Sequence, residues 1–181
     1  FLKDLDKDDL QGLTFENGVI TDSSLVAIQH MKSLQSLTLS GPGITDATME
    51  YLTELIGLRR LVLSQTNCTD RIAKSVAEVF PGLEHITLSH HDDIGDATAK
   101  ALTGMQNLKS LDLSHTHLTD TGLVSLRTIR GLKLLDVTGT DVTPGGILAF
   151  EQELPGCALY SDFGAPAATT EENTLASPVT P

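Results

Sequence analysis

The sequence predicts an α/β solenoid in which one unit of strand, turn, helix and turn is repeated, and three observations carry that prediction. First, a pattern of the form L-x-x-L-x-L recurs with its leading leucine at Leu10, Leu34, Leu58, Leu83, Leu108 and Leu132, in steps of 24, 24, 25, 25 and 24 residues. A degenerate seventh copy, Leu154-Pro155-Gly156-Cys157-Ala158-Leu159, follows. Self-similarity at a fixed spacing of this length marks a repeat architecture before any local propensity is weighed. Second, each copy changes period halfway. Leu34-Gln35-Ser36-Leu37-Thr38-Leu39 alternates apolar with polar, as a strand with one buried face does, whereas Met49, Leu52 and Leu55 are spaced by three, as on one face of a helix. The same spacing returns at Leu25, Ile28 and Met31, at Leu123, Leu126 and Ile129, and at Ile147, Phe150 and Leu154. Third, a Thr-Asp pair stands where the period changes.

That pair has a local physical reason. Thr21, Thr45, Thr69, Thr119 and Thr143 suit helix N-caps, whose hydroxyl accepts from an otherwise unpaired amide, with Gly95 in their place in the fourth unit. Asp22, Asp46, Asp70, Asp96 and Asp120 then fall in the first turn, where the helix dipole favours negative charge. Pro144 follows Thr143 and fits the first helical position, where no amide bond is lost. Capping accounts for the aspartates more simply than a ladder of cation ligands. Gly57, Gly82, Gly104 and Gly131 lie between helix and next strand and mark the return turns.

The expected organisation is a lead-in or partial cap at 1–9, repeats over 10–162, and a disordered tail or linker at 163–181. Phe1, Leu2 and Leu5 of the lead-in could cover the open edge of the first unit. The tail has no apolar period and is rich in Ala, Thr, Pro and Glu. No signal-peptide or membrane-spanning pattern is visible, and a start at Phe1 is that of a trimmed chain or fragment.

A net charge of −12 and a pI near 4.7 argue against a nucleic-acid or anionic-membrane binder, since the 12 lysines and arginines are scattered rather than clustered. A basic or neutral protein partner remains open. Cys68 and Cys157 occupy positions where other units carry Ile or Leu. They are four strand steps apart, about 19 Å at about 4.8 Å a step, which is beyond disulfide reach. Both read as small buried hydrophobes.

If the strand leucines point inward, the residues between them form columns on the outer sheet face. One is Gly12, Ser36, Arg60, His85, Ser110 and Leu134. A second is Thr14, Thr38, Val62, Thr87, Asp112 and Asp136, and a third is Glu16, Ser40, Ser64, Ser89, Ser114 and Thr138. None is Trp or Tyr, so the aromatic anchors on which interface energy concentrates are missing there. The most informative patch is Arg60, Val62, His85 and Thr87 beside the acidic strip of Asp112 and Asp136. With Ser110, His115 and Leu134 these are the candidate partner-binding residues. The bland alternative is a solvated polar sheet with no dedicated partner.

His90, His91, His115 and His117 read as an exposed polar loop. They could form a zinc site with Asp92, Asp112 or Asp136, although no recognised ligand spacing is present, so no metal or other cofactor is expected. The serine column beside His90 and His115 offers the residue types of a hydrolase without a pocket to exclude water. Asn67-Cys68-Thr69 matches a glycosylation sequon, a pattern easily produced by chance.

Leu-Ser-His-Thr-His-Leu-Thr-Asp-Thr-Gly-Leu at 113–123 and Leu-Ser-Gln-Thr-Asn-Cys-Thr-Asp at 63–70, set in the L-x-x-L-x-L frame, resemble leucine-rich repeat proteins over roughly residues 10–160. The likeness is greatest to short bacterial repeats of the L-S-G-T-x-I-T-D kind and to the cysteine-containing repeats of F-box adaptors. The chain departs from the family at its asparagine ladder, where Gly18, Pro42, Thr66, Thr116 and Thr140 stand, with Asp92 nearest in the fourth unit. The adaptors' characteristic cysteine is missing from those positions. The resemblance implies a right-handed curved solenoid with a parallel sheet on the concave face and helices on the convex face. It further implies a noncatalytic module that binds a protein or peptide; the sequence leaves the oligomeric state open, with a monomer favoured. Alternatives are a spacer or sensor domain of a larger bacterial surface protein, in the cell envelope or secreted, and the substrate-recognition part of a ubiquitin-ligase adaptor.

Overall fold

Alternation along each strand sends its leucines to one side, and in the computed structural model, which describes residues 10–16 and 20–164, that side is the core. Leu37, Leu39, Leu61, Leu63, Ile86, Leu88, Leu111, Leu113, Leu135 and Val137 are all buried. Their strands are β1 (Gly12–Phe15), β2 (Ser36–Ser40), β3 (Arg60–Ser64), β4 (His85–Ser89), β5 (Ser110–Asp112), β6 (Leu134–Asp136) and β7 (Ala158–Tyr160). They form one parallel seven-stranded sheet in sequence order, open at both ends. The repeat length sets the register: Ser36 pairs with Arg60, Arg60 with His85, His85 with Ser110, Ser110 with Leu134 and Leu134 with Ala158.

Helices cover the other face of the core: α1 (Met49–Leu52), α2 (Asp70–Val79), α3 (Asp96–Leu102), α4 (Asp120–Leu126) and α5 (Pro144–Glu153). The first unit differs from the expected α-helix, since Asp22–Ala27 is a 3₁₀ helix, and a 3₁₀ turn, Asp46–Thr48, precedes α1. In α2, α3 and α4 a small or branched residue is buried four positions ahead of a core residue. Ile72 precedes Val76, Thr98 precedes Leu102 and Gly122 precedes Leu126. The matching residue of the first unit, Ser24, is exposed, leaving only contacts spaced by three, which a 3₁₀ helix satisfies equally well.

Thr45, Thr69, Thr119 and Thr143 cap their helices as expected, each hydroxyl accepting from an amide of the first turn at 3.2–3.3 Å. The aspartates do more than face a helix dipole. Each reaches into the next unit: Asp22 accepts from Thr45 N at 3.0 Å and from its hydroxyl at 2.7 Å. Asp46 holds Thr69 (2.9 and 2.7 Å), Asp96 holds Thr119 (2.8 and 2.7 Å), and Asp120 holds Thr143 (2.8 and 2.7 Å) in the same way. Asp70 meets Gly95 instead of a threonine and accepts from Gly95 N and Thr98 N, both at 2.9 Å. The Thr-Asp pair therefore links neighbouring units, with the threonine hydroxyl donating backwards while it caps forwards.

The link also explains two helical glycines. A Cβ on Gly146 would lie 2.0 Å from an Asp120 carboxylate oxygen, and one on Gly122 would lie 2.4 Å from that of Asp96. In the return turns, Gly57 is required by close approach, since an added Cβ would come within 2.7 Å of the Lys32 carbonyl oxygen, and Gly131 is tight, at 3.0 Å from the Gln106 carbonyl oxygen. The described residues with positive φ are elsewhere: one follows the strand in each of units two to six, at Gly41, Gln65, His90, His115 and Gly139, and Gly164 follows β7. Cys68 and Cys157 are buried free thiols, and burial pushes both up to about 12. The lead-in 1–9, Gly18, and the tail beyond Gly164 lie outside the described residues.

Candidate functional site

The outer sheet face is assembled by register alone. Arg60, His85, Ser110 and Leu134 stand side by side on β3 to β6, and Val62, Thr87, Asp112 and Asp136 form the row next to them. Arg60 is exposed and the other seven are half-buried, in contrast to the fully buried leucines between them. Strand spacing of about 4.8 Å spreads the patch over about 14 Å from β3 to β6.

β7 extends both rows, bringing Ala158 beside Leu134 and Tyr160 beside Asp136. Tyr160 is 44% exposed, so this face has the aromatic anchor that the six-residue columns lack. The signal was present as the x-L-x pattern of Ala158-Leu159-Tyr160, concealed by the degenerate lead of the seventh unit.

Charge on the face is divided along the sheet. Arg60 supplies positive charge at β3. Burial first, and repulsion from Arg60 second, hold the His85 imidazole below its ordinary pKa. His85 is thus a neutral donor and acceptor at neutral pH. Asp112 Oδ1 accepts from the amide and hydroxyl of Ser114 at 2.9 and 2.7 Å, and Asp136 Oδ1 accepts from Thr138 N at 2.9 Å. These bonds fix both carboxylates at the strand ends, and among the described residues each Oδ2 has no hydrogen-bond partner.

His115, the remaining candidate partner-binding residue, lies in the turn after β5, with φ of 55°, where its ring packs on that of His90 at a centroid distance of 4.3 Å. Two expectations need correction. Ser89 and Ser114, expected on the outer face, are buried at the strand ends, with Ser89 Oγ 3.2 Å from Ser64 Oγ. His91, expected in an exposed loop, is only 3% exposed.

His91 also displaces Asp92 from the ladder position assigned to it. Like Thr66 and Thr116, His91 is eight residues past its unit's first leucine, and the extra residue of the fourth unit comes after it, leaving Asp92 exposed. Its Nε2 accepts from Thr66 N at 3.4 Å and lies 2.7 Å from the Thr66 hydroxyl. That leaves the ring proton on Nδ1, which is buried and makes no hydrogen bond of good geometry among the described residues, although the nearby Leu88 and Ser89 backbone favours the protonated ring. In the fifth and sixth units Thr116 and Thr140 bond back to their own strands, to the carbonyls of Leu113 (2.7 Å) and Val137 (2.6 Å).

Along the rim His117 Nδ1 lies 3.1 Å from Asp141 Oδ2. Among the described residues no three of His, Cys, Asp and Glu converge in a way that could hold a metal ion. The serines of the third column bond to one another and to an aspartate, Ser64 Oγ lying 3.2 Å from Ser89 Oγ and Ser114 Oγ donating to Asp112 Oδ1 at 2.7 Å. No helix is long and apolar enough to cross a membrane, among the residues described.

The fold and its repeats define the class. The architecture is that of a leucine-rich repeat solenoid: the sequence family described as Leucine Rich repeat matches residues 104–126, and the same fold recurs in solved structures. One is from the complex of Rad7 and Elc1 in yeast, with 20% identity and a TM-score of 0.67 over 82% of this chain. Another is internalin C2 of Listeria monocytogenes, with 16% identity and a TM-score of 0.61 over 85% of this chain and 72% of that one. The chain spans 42% of the length of the yeast protein chain it matches. No curated protein sequence matches it.

Proposed function

We propose that the chain is a noncatalytic protein-interaction module whose outer sheet face holds an extended segment of a protein partner. The observation that carries this reading is the two-row face itself. It places Arg60 and His85 at one end and Leu134, Asp136 and Tyr160 at the other, on a rigid sheet held by the core and by the aspartate links below it. A segment crossing β3 to β7 would meet a cation first, then a hydroxyl-lined centre, then two fixed carboxylates beside an aromatic ring. Such a face selects by charge order, with Tyr160 and Arg60 as its anchors. The yeast structure with this architecture comes from a two-protein complex, which agrees with the reading.

The test is capture of a partner by the wild type and by two variants, Arg60→Glu with His85→Ala, and Tyr160→Ala, after equal melting temperatures show that all three fold. Loss of the partner by both variants is expected. Undiminished capture by both would leave the face idle and favour a spacer role.

A further inference from the structure

The charges of this acidic chain are sorted by edge. The turns that run from strand to helix contain no lysine or arginine among the described residues and hold the exposed Asp92, Asp93 and Asp141, and Asp22, Asp46, Asp70, Asp96 and Asp120 open the helical segments that follow. The turns that run from helix to strand, with the first strand position, hold seven of the ten described lysines and arginines. Only three carboxylates share that edge, and each is already taken. Glu54 pairs with His30 at 3.0 Å, Glu84 with Lys109 at 2.5 Å and Glu153 with Arg127 at 2.6 Å. Lys32, Arg60 and Lys133 are exposed and form no ion pair among the described residues, and Arg59 hydrogen-bonds only to the carbonyls of Leu58 and Gly82, with Lys32 and Arg59 acting on Glu54 and Glu84 from farther off.

The internal links account for the acidic edge, whereas on the basic edge internal ion pairs hold only Lys109 and Arg127, and Lys32, Arg59, Arg60 and Lys133 form none among the described residues. Helix dipoles favour cations at the last turn, yet Arg59, Lys109 and Lys133 lie beyond the helices, each just after its unit's leucine. Between the turns of the third, fourth and fifth units a cleft of about 330 Å³ is lined by Arg59, Glu84, Gln106, Asn107 and Lys109. The two edges are separated by the length of a five-residue strand, about 16 Å. That is about twice the screening length of about 8 Å at physiological salt, so the basic edge acts locally despite the net charge of −12.

We propose that the helix-to-strand edge of units three to six docks an acidic peptide segment of the partner. The cleft beside Arg59 and Lys109 receives one carboxylate side chain, and Lys133 receives another. This rests on the reading of the chain as a protein-interaction module and assigns it a second contact strip, beside the sheet face. Three strand steps cover about 14 Å, the reach of about four extended residues. An acidic peptide suits an edge with a local excess of four positive charges better than a nucleic acid, whose closely spaced phosphates would also meet the field of the whole chain.

The test is fluorescence titration of a labelled six-glutamate peptide with the full chain at about 20 and about 150 mM salt. The edge variant is Arg59→Gln with Lys133→Gln. The control is Lys74→Gln with Lys100→Gln, which removes the same charge from the helix layer. The wild type is expected to bind at low salt and to weaken at least tenfold at high salt. The edge variant should bind at least fivefold more weakly than wild type and the control within twofold of it, with melting temperatures unchanged. No binding at low salt, equal loss in both variants, equal binding of a six-glutamine peptide, or tighter binding of a single-stranded hexanucleotide would each overturn the proposal. If peptide binding fails while the sheet-face variants still lose the captured partner, the inference fails and the module reading stands. If the sheet-face variants keep the partner while the edge binds the peptide, the reading of the face fails instead.

Discussion

At the scale of single residues, the groups that matter most are carboxylates and one imidazole whose partners lie a whole repeat away. Asp96 accepts two bonds from Thr119, and Asp96→Ala would leave the Thr119 amide and hydroxyl to find water in a half-buried seam. Hydrogen bonds to charged groups contribute about 1.5–3 kcal/mol, less where water reaches them. Melting of Asp96→Ala is therefore expected several degrees below wild type, and Asp96→Asn in between. A wild-type melting temperature in Asp96→Ala would remove the link from the account. His91 adds a pH dependence. Burial is the main cause that holds its pKa below the ordinary value, with the charge of His90 a smaller one and the Leu88 and Ser89 carbonyls opposing. The unfolded chain therefore takes up the proton first, and the contribution of His91 to stability is complete above about pH 6.5 and lost as pH falls below it. Thermal melting between pH 7 and pH 5 is expected to fall more steeply for the wild type than for His91→Asn, and parallel curves would exclude this role. The sequence showed the Thr-Asp column and supplied the capping half of its purpose. The linking half was hidden because a repeat pattern reports which residues recur and not which of them touch. His91 was misplaced for a similar reason, since a one-residue insertion shifts an alignment by eye where an offset counted from the leading leucine does not.

At the scale of elements, strands and caps were legible and the kind of helix was not. Apolar residues spaced by three, as at Leu25, Ile28 and Met31, fit an α-helix and a 3₁₀ helix alike. What separates them is a small residue buried four positions ahead of a core side chain, and smallness reads in a sequence as indifference. The difference has a measurable consequence. The 3₁₀ helix Asp22–Ala27 buries only Leu25 and borders β1, whose side chains are exposed or half-buried, whereas α2 buries Ile72, Ala73 and Val76 between neighbours on both sides. Local opening requires less free energy where fewer buried contacts are broken. Native-state hydrogen exchange is expected to release the amides of Asp22–Ala27 well before those of Asp70–Val79. Equal protection of the two segments would mean that the solenoid opens as one cooperative body.

At the scale of the molecule, the repeat length is what turns a list of residues into surfaces. Steps of 24 or 25 residues return the chain to the same height in the sheet, so rows such as Arg60, His85, Ser110 and Leu134 could be written down from the sequence and are found in register. Where the spacing breaks, at the seventh unit, Tyr160 was lost from the count although it completes the face. The sorting of charge by edge was equally implicit. It becomes visible only when residues are grouped by turn instead of by composition, since a net charge averages two opposite edges into one number. The same one-dimensional logic governs stability, because each unit's apolar face is covered only by the units on either side. Ending the chain after Gly131 removes β6, α5 and β7. It uncovers the flank of the fifth unit, around Leu111, Leu113, Leu118 and Leu123, all fully buried in the intact chain, and leaves β5 as an unpaired edge. Light scattering is expected to show this truncated chain aggregating at concentrations where the intact chain stays monodisperse. If it instead remains monodisperse and retains its helical signal in proportion to its length, the sixth and seventh units are dispensable covers. Their hold on the fifth, through Asp120 and Thr143, would then be far weaker than the contacts of the central units.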